Sequence, residues 1–366
     1  MVRLIGHSDR KVHLNFFNLL RRLQMKLSQA QQIISASVES NMTINGWSSK
    51  RIVPMLWGIP GLGKSTIVRA VADALGIDCV VINLAEYDAG ELAGYPMLKD
   101  GEMVRSRPRW LPVDGKGILF LDELVQAPVA NQNVARQLVN DGRIGEHLLG
   151  DGWSVVCAGN DLSNRAGTNA MPSHMKDALL HIDVEPFLDE SIRYFNNIGA
   201  SPMITGFLAF SPEHLSMFNK DVKACPSPRS WEKADQILGM GLDPEIEYHA
   251  LCGTLGAEAS AKFKAFQQVY RELPDPELPL RDPMNAPIPS EPSVLYAVVS
   301  AIAYRVNKSN AKNFCAYMKR IVQEEFQAFG MKSALDRFKD LQHEKEFQQW
   351  AIDGGADLVV ASRNVA

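Results

Sequence analysis

The chain has 366 residues, 46% of them apolar and 22% charged, an ordinary composition for a soluble globular protein long enough for two or three domains. A formal net charge of -4 gives no global attraction to nucleic acid or anionic membrane, so any such binding would be local. Five cysteines (Cys79, Cys157, Cys225, Cys252 and Cys315) form no Cys-x-x-Cys pair and have no His partners at zinc spacing, and no apolar run reaches the ~18 residues of a membrane span; they read as reduced core residues of a cytoplasmic protein.

Residues 1–24 carry Arg3, Arg10, Lys11, Arg21 and Arg22 against a single acid, Asp9, with Leu14, Phe16, Phe17, Leu19 and Leu20 between them. This basic, amphipathic leader reads as a transit peptide, a small binding helix, or translated sequence upstream of a natural start at Met25; its poverty in serine favours the last. From Met25 the pattern becomes orderly. Leu27, Ala30, Ile34 and Val38 recur at helical spacing, and Ser28 with Gln31 predicts a capping box at the helix start.

The apolar run Ile52 to Trp57 predicts a strand, and Gly58-Ile59-Pro60-Gly61-Leu62-Gly63-Lys64-Ser65 follows it directly. The octet fits G-x-x-x-x-G-K-[ST] at every defined position. Glycines let successive backbone N–H groups turn inward around phosphates, Lys64 can bridge the β- and γ-phosphates, and the Ser65 hydroxyl can ligate Mg²⁺. Thr66 to Leu75, stopped by Gly76, reads as the helix whose N-terminus faces the phosphates. A chance match in a Gly-rich turn would lack that strand and helix. The octet and Thr66 are therefore the expected ATP-binding residues.

Cys79 to Leu84 is a continuous apolar run of the kind buried in a parallel sheet. Asp88 to Pro96, then Lys99-Asp100-Gly101 and Met103-Val104-Arg105, predict a hairpin inserted into the α/β core. Arg105, Arg107 and Arg109 alternate there, either lining a pore or contacting a polymer, or simply forming a solvated face. Ile118-Leu119-Phe120-Leu121-Asp122-Glu123 reads as a buried strand ending in two carboxylates: Asp122 to hold Mg²⁺ and Glu123 to orient or deprotonate an attacking water. A helix through Val134 and Leu138 leads to Gly142. The strand Trp153 to Gly159 then ends at Asn160, whose amide can reach a γ-phosphate or the attacking water, although an ordinary Gly-Asn turn has the same sequence. His181 to Val184 closes a five-stranded parallel sheet.

From Asp189 onward the pattern is helical. Ser227-Pro228-Arg229-Ser230-Trp231 places Pro at a first helical position and Arg229 in the first turn, where the helix dipole disfavours a cation; a bound phosphate would explain it, as would an unremarkable surface arginine. Residues 273–292 hold seven of the 20 prolines and read as an extended linker. Beyond them Leu295 to Ile302 marks one helix and Phe314 to Phe329 a second, ended by Gly330. A third runs from Met331 towards Trp350, with a loose tail after Gly354-Gly355. The boundaries expected are a leader over 1–24, a nucleotide domain over 25–188, a helical lid over 189–272, a linker over 273–292 and a C-terminal helical domain over 293–366.

With the phosphate loop, Asp122-Glu123, Asn160 and Arg229 in this order, the chain resembles the AAA+ ATPases, most closely the MoxR-like branch with an insert in the second core helix. Leu92-Ala93-Gly94-Tyr95-Pro96, Arg109-Trp110-Leu111-Pro112, Gly142-Arg143-Ile144-Gly145-Glu146 and Ser227-Pro228-Arg229-Ser230-Trp231-Glu232 carry the likeness, which covers about residues 27–305. It implies a P-loop NTPase fold with a helical lid, Lys64 and Ser65 as phosphate and magnesium ligands, and Asp122 as the Mg²⁺ carboxylate. Glu123 would be the catalytic acid, Asn160 the first sensor and Arg229 the second. It also implies ring oligomers, usually hexamers, acting with a von Willebrand factor A-like partner on client proteins.

One departure stands out. The family usually ends Met-Pro-Ser-x-x-x-Asn-Arg before the last core strand, its arginine reaching into the neighbouring subunit's site, whereas here Met171-Pro172-Ser173 is followed by Asp177-Ala178. Arg165 is the first candidate to replace that arginine, Lys176 the second and Arg193 the third. The expected activity is ATP hydrolysis that remodels or activates a client. The rivals are an ATP-binding switch with little hydrolysis, a nucleic-acid motor (disfavoured by the acidic balance) and a small-molecule kinase, which would leave Glu123, Asn160 and Arg229 without a common purpose.

Overall fold

Apolar runs in the first half of the chain become strands of a single sheet, whose three central strands are buried on both faces while its two edge strands are only partly covered. The computed structural model describes residues 25–48, 50–160, 171–219 and 221–355, and the chain divides into two units, residues 1–185 and 186–366. The first runs α1 (Leu27–Met42), β1 (Val53–Trp57), α2 (Lys64–Leu75), β2 (Asp78–Asn83), α3 (Ala89–Ala93), β3 (Pro96–Lys99), β4 (Glu102–Arg105) and β5 (Gly117–Asp122). It continues α4 (Val129–Asp141), β6 (Arg143–Ile144), β7 (His147–Leu148), β8 (Trp153–Gly159), α5 (Ser173–Lys176) and β9 (Leu179–Asp183). The core sheet has the order β2-β5-β8-β1-β9 with every pair parallel.

Alternation along the strands feeds two cores. Leu56, Ile118, Phe120, Val156 and Ala158 pack with Ala30, Ile34 and Val38 of α1 and Ile67, Val68 and Val71 of α2. Met55, Leu119, Leu121, Val155 and Cys157 pack on the opposite face with Val134, Ala135 and Leu138 of α4 and with Met175. The helix expected from the spacing of Ala30, Ile34 and Val38 packs beside the sheet. The predicted insert is also present, as the antiparallel pair β3–β4, turned by Asp100 (φ 54°) and Gly101 (φ 84°). A second hairpin, β6–β7, is not expected from sequence; its two-residue strands are too short to show any period.

Three local expectations are corrected. Helix α1 begins after Lys26 rather than at a Ser28/Gln31 box, and the Gln29 side chain accepts from the Lys26 N–H at 3.0 Å. The last core strand starts at Leu179, two residues before the predicted run, because its pairing with β1 extends from Val53↔Leu179 to Trp57↔Asp183. The cysteines are all unpaired, but only Cys157 and Cys315 are buried; burial raises both thiols, Cys315 to about 12.

The second unit is helical: α6 (Leu188–Asn197), α7 (Pro202–Phe210), α8 (Pro228–Leu238), α9 (Pro244–Leu255), α10 (Ala257–Arg271), α11 (Leu278–Arg281), α12 (Pro292–Tyr304), α13 (Ala311–Arg320), α14 (Glu324–Arg337) and α15 (Lys345–Trp350). Helix α8 starts where Pro228 predicts, and Ser227 Oγ accepts from the Ser230 N–H at 3.2 Å. Trp231 is fully buried with Phe207 and Phe263, its ring edge-on to Phe263 at 5.3 Å. The predicted stop at Gly330 is overturned. Gly330 lies inside α14, where a Cβ would stand 2.5 Å from Met318 and 2.7 Å from Val299, so the glycine permits close helix packing rather than ending a helix. The actual break falls at Ile321–Gln323, between α13 and α14. No helix of the described residues is long and apolar enough to cross a membrane.

The proline-rich stretch is not an extended linker. It contains α11, buries Pro279, Leu280 and Ala286, and gives up its carbonyls to α13. Asn313 donates to Leu280 O at 2.8 Å, Arg320 to Ala286 O at 2.8 Å and Tyr317 to Pro287 O at 2.8 Å. Proline content reads as a spacer only when no side chain is available to satisfy the carbonyls, and here α13 supplies three. Tyr317 is fully buried and its hydroxyl is pushed up to about 12 by burial, against a smaller lowering by Arg320. Tyr317→Phe should therefore cost about 1–3 kcal/mol by stranding the Pro287 carbonyl, a fall in Tm of about 2–4 °C per kcal/mol in calorimetry of a unit this size. An unchanged Tm would mean that the stretch is not docked.

Candidate functional site

Three adjacent strands, β5, β8 and β1, end at the same edge of the sheet, the edge where parallel α/β sheets bind ligands. The loop after β1 carries Gly61 and Gly63 at φ 80° and 100°, a backbone that other residues adopt only under strain. It hands over directly to α2, so the first N–H groups of a twelve-residue helix point into the loop. Leu62 is buried in the core while Thr66 is exposed on the helix.

Lys64 lies at the base of this loop with only 8% of its surface exposed. Its ammonium donates to Gly58 O at 2.8 Å, to Ile59 O at 3.1 Å and to Asn160 Oδ1 at 3.1 Å. A buried ammonium needs such acceptors, and these are groups that incoming phosphate oxygens can replace. The two carbonyls are partners that sequence motifs do not reveal; the third brings the tip of β8 onto the loop.

Ser65 Oγ donates to Asp122 Oδ2 at 2.6 Å, while Asp122 Oδ1 accepts from the Glu123 N–H at 2.9 Å. The carboxylate thus joins the loop to the turn that follows β5. Glu123 is held there at φ 56°, a left-handed conformation that costs a non-glycine residue about 1–3 kcal/mol and recurs at functional sites. The Leu124 N–H to Ala158 O bond (2.9 Å) and the Ala127 N–H to Glu123 O bond (3.0 Å) fix the turn. No sequence rule places a glutamate in that region of backbone space.

Among the described residues no group of three or more His, Cys, Asp and Glu forms a ready-made metal cage. Ser65 and Asp122 offer one hydroxyl and one carboxylate, a hard oxygen pair that suits Mg²⁺, an ion that keeps several waters and takes further ligands from phosphates.

The geometry brings together Lys64, Ser65, Asp122, Glu123 and Asn160. Arg229 stands on the second unit, exposed in the first turn of α8. Arg165 lies outside the described residues. Ala178 is half-buried and packed against the apolar core. Lys176 is exposed, its carbonyl bonded to the His181 ring at 2.9 Å. Arg193 pairs with Asp336 at 3.9 Å. On the insert, Arg105 donates to Gly94 O at 2.8 Å and Arg107 to Leu111 O at 3.2 Å, so these two guanidinium groups brace their own loops.

Residues 54–150 match the family model described as "ATPase family associated with various cellular activities (AAA)". No curated protein matches the chain. Among solved structures it is similar to a RuvB mutant of Thermotoga maritima (14% identity, 68% of this chain and 64% of that one, TM-score 0.34). It is also similar to NtrX of Brucella abortus in complex with ADP (14%, 92% and 71%, 0.35) and to Hsp104 with ATPγS and FITC-casein (15%, 74% and 48%, 0.35). The chain thus spans 64% of that RuvB chain and 48% of the Hsp104 chain. The parallel five-stranded sheet with its glycine-rich loop is a P-loop fold, and residues 54–150 of it are an AAA ATPase domain.

Proposed function

We propose that this protein is a Mg²⁺-dependent ATPase of the MoxR-like branch of AAA+ proteins. It would work in the cytoplasm as a ring, usually a hexamer in that branch, and remodel or activate a client protein together with a von Willebrand factor A-like partner. One observation carries the proposal: a buried lysine, a Ser–Asp pair, a glutamate in a strained turn and an asparagine meet at the ends of three adjacent strands. The matches quoted above between 92 and 232 support the branch, and the five unpaired thiols suit a reducing compartment. Braced arginines on the insert, with a net charge of -4, disfavour a nucleic-acid motor.

In this mechanism the backbone N–H groups of the loop over residues 58–66, Pro60 having none, receive the phosphates, and Lys64 exchanges its carbonyl partners for the β- and γ-phosphate oxygens. Ser65 and Asp122 would hold Mg²⁺, which when bound neutralises phosphate charge. Glu123 takes a proton from the water that attacks the γ-phosphorus, Asn160 orients that water, and ADP and phosphate leave. Arg229, as second sensor on the helical lid (residues 189–272), supplies a further cation to the phosphates.

Lys64→Ala should abolish ATP binding in equilibrium titration. Glu123→Gln should bind ATP as wild type does but hydrolyse it at least ~100-fold more slowly, the usual size of a lost general base. Equal ATP affinity in wild type and Lys64→Ala would sink the phosphate-loop assignment.

Ligand bound across a subunit boundary stabilises that boundary by mass action. Analytical ultracentrifugation of Glu123→Gln should therefore show a heavier species with Mg·ATP than without nucleotide. A monomer under both conditions would count against the ring.

Ala178 favours a second possibility, a switch that holds ATP and turns it over slowly. An arginine delivered to the transferring phosphoryl group is worth roughly 10³–10⁵ in rate, so its replacement must be supplied elsewhere or forgone. If Arg165 supplies it, Arg165→Ala should suppress turnover in a phosphate-release assay and leave ATP binding intact. Normal turnover in that variant, with at least a tenfold gain in Ala178→Arg, would assign the protein to the slow switch.

A further inference from the structure

Three side-chain amides surround the turn that carries Glu123. Asn131 donates to Leu84 O at 2.8 Å and to Tyr87 O at 2.7 Å, and Gln132 donates to Ala127 O at 3.1 Å; these two lace the turn to its neighbours. Gln126 differs. Its Nε2 and Oε1 are both buried and, among the described residues, both without a hydrogen-bond partner, whereas Gln132 leaves only its Oε1 unmet. A buried amide that satisfies nothing destabilises the fold, and an apolar side chain of the same length would fit better. Natural sequences keep such a violation mainly where function uses it.

The position of Gln126 points to that use. Its backbone N–H is bonded to Glu123 O at 3.0 Å, so it belongs to the catalytic turn. Its Oε1 lies 3.7 Å from the place a Cβ would occupy on Gly159, a place already within 2.6 Å of Val125 and 2.9 Å of Met55. Only glycine fits there, and the amide rests against the strand tip one residue before Asn160. Asn160 Oδ1 is engaged by Lys64, the group that must turn to the phosphates when ATP binds. Once Lys64 lets go, the β8 tip gains freedom to shift beside a side chain that has both a donor and an acceptor unspent.

We propose, resting on the ATPase assignment above, that Gln126 is a positioning residue: its amide takes up hydrogen bonds with the Gly159–Asn160 strand tip when ATP draws Lys64 away, and so holds Asn160 in register with Glu123. It touches neither phosphate nor water itself. It exchanges stability without ATP for order with ATP, a trade recurrent at active sites.

The test compares the full chain with Gln126→Met, a near-isosteric apolar variant, and with Gln126→Leu as a second core-compatible change. Each is melted without nucleotide, with Mg·ADP and with Mg·ATPγS, and assayed for ATP turnover. Without nucleotide the Met variant should melt about 2–4 °C higher than wild type. The extra stabilisation by ATPγS over ADP should shrink by at least half, and kcat should fall about tenfold with KM within about twofold, the pattern of a contact made after binding. Wild-type turnover together with an undiminished ATPγS gain would overturn the proposal. So would a lower melting temperature without nucleotide, since the amide would then already be partnered. If wild type itself gains nothing from ATPγS, the ATPase assignment fails; if wild type gains and Gln126→Met gains equally, only the role of Gln126 fails.

Discussion

The hydrogen bond from Ser65 to Asp122, 2.6 Å long, is the constraint on which the candidate site depends. Strand β5 is separated from β1 by β8, so the loop after β1 and the carboxylate after β5 can meet only if all three strands run parallel and end level. The pairing of Leu121 with Cys157 and of Met55 with Cys157 provides that level edge. From it follow the position of Asn160, at the end of the middle strand, and the contact of its amide with Lys64.

This edge holds several features that disfavour folding: a buried ammonium, a glutamate in left-handed backbone and an amide with no partner. Each is tolerated because the strands beneath it are covered on both faces by apolar side chains with almost no exposure. Core and site are therefore coupled. A close-packed interior resists the small shifts that would relieve the strained turn, which keeps the donors and acceptors of the candidate site fixed in place.

The two small hairpins outside the sheet show how local charge can mislead. Alternating arginines on an insert suggest a basic surface for a polymer. In the folded protein Arg105 and Arg107 instead satisfy carbonyls, while Glu146 accepts from the Arg105 N–H at 2.8 Å and the His147 ring meets Arg105 O at 3.0 Å. A two-stranded hairpin is barely stable alone, so cross-ties of this kind are what let the insert keep a shape. Met97, Leu98 and Met103 remain exposed upon it, which gives the insert apolar surface beside its exposed arginines.

By itself the sequence determined the P-loop class and the strands of the core sheet, and it named the residues of the candidate site. Unbroken apolar runs, a glycine-rich octet and a strand ending in Asp-Glu are short-range patterns whose chemistry admits few alternatives. Tertiary structure decided what depends on distant partners. Residues 273–292 look like a spacer until Asn313, Tyr317 and Arg320 take up their carbonyls, and Gly330 looks like a stop until Met318 and Val299 close over it. The left-handed turn at Glu123, the carbonyl cradle of Lys64 and the unmet amide of Gln126 were equally illegible, because hydrogen-bond satisfaction is settled by atoms brought together from separate strands and leaves no periodic mark along the chain.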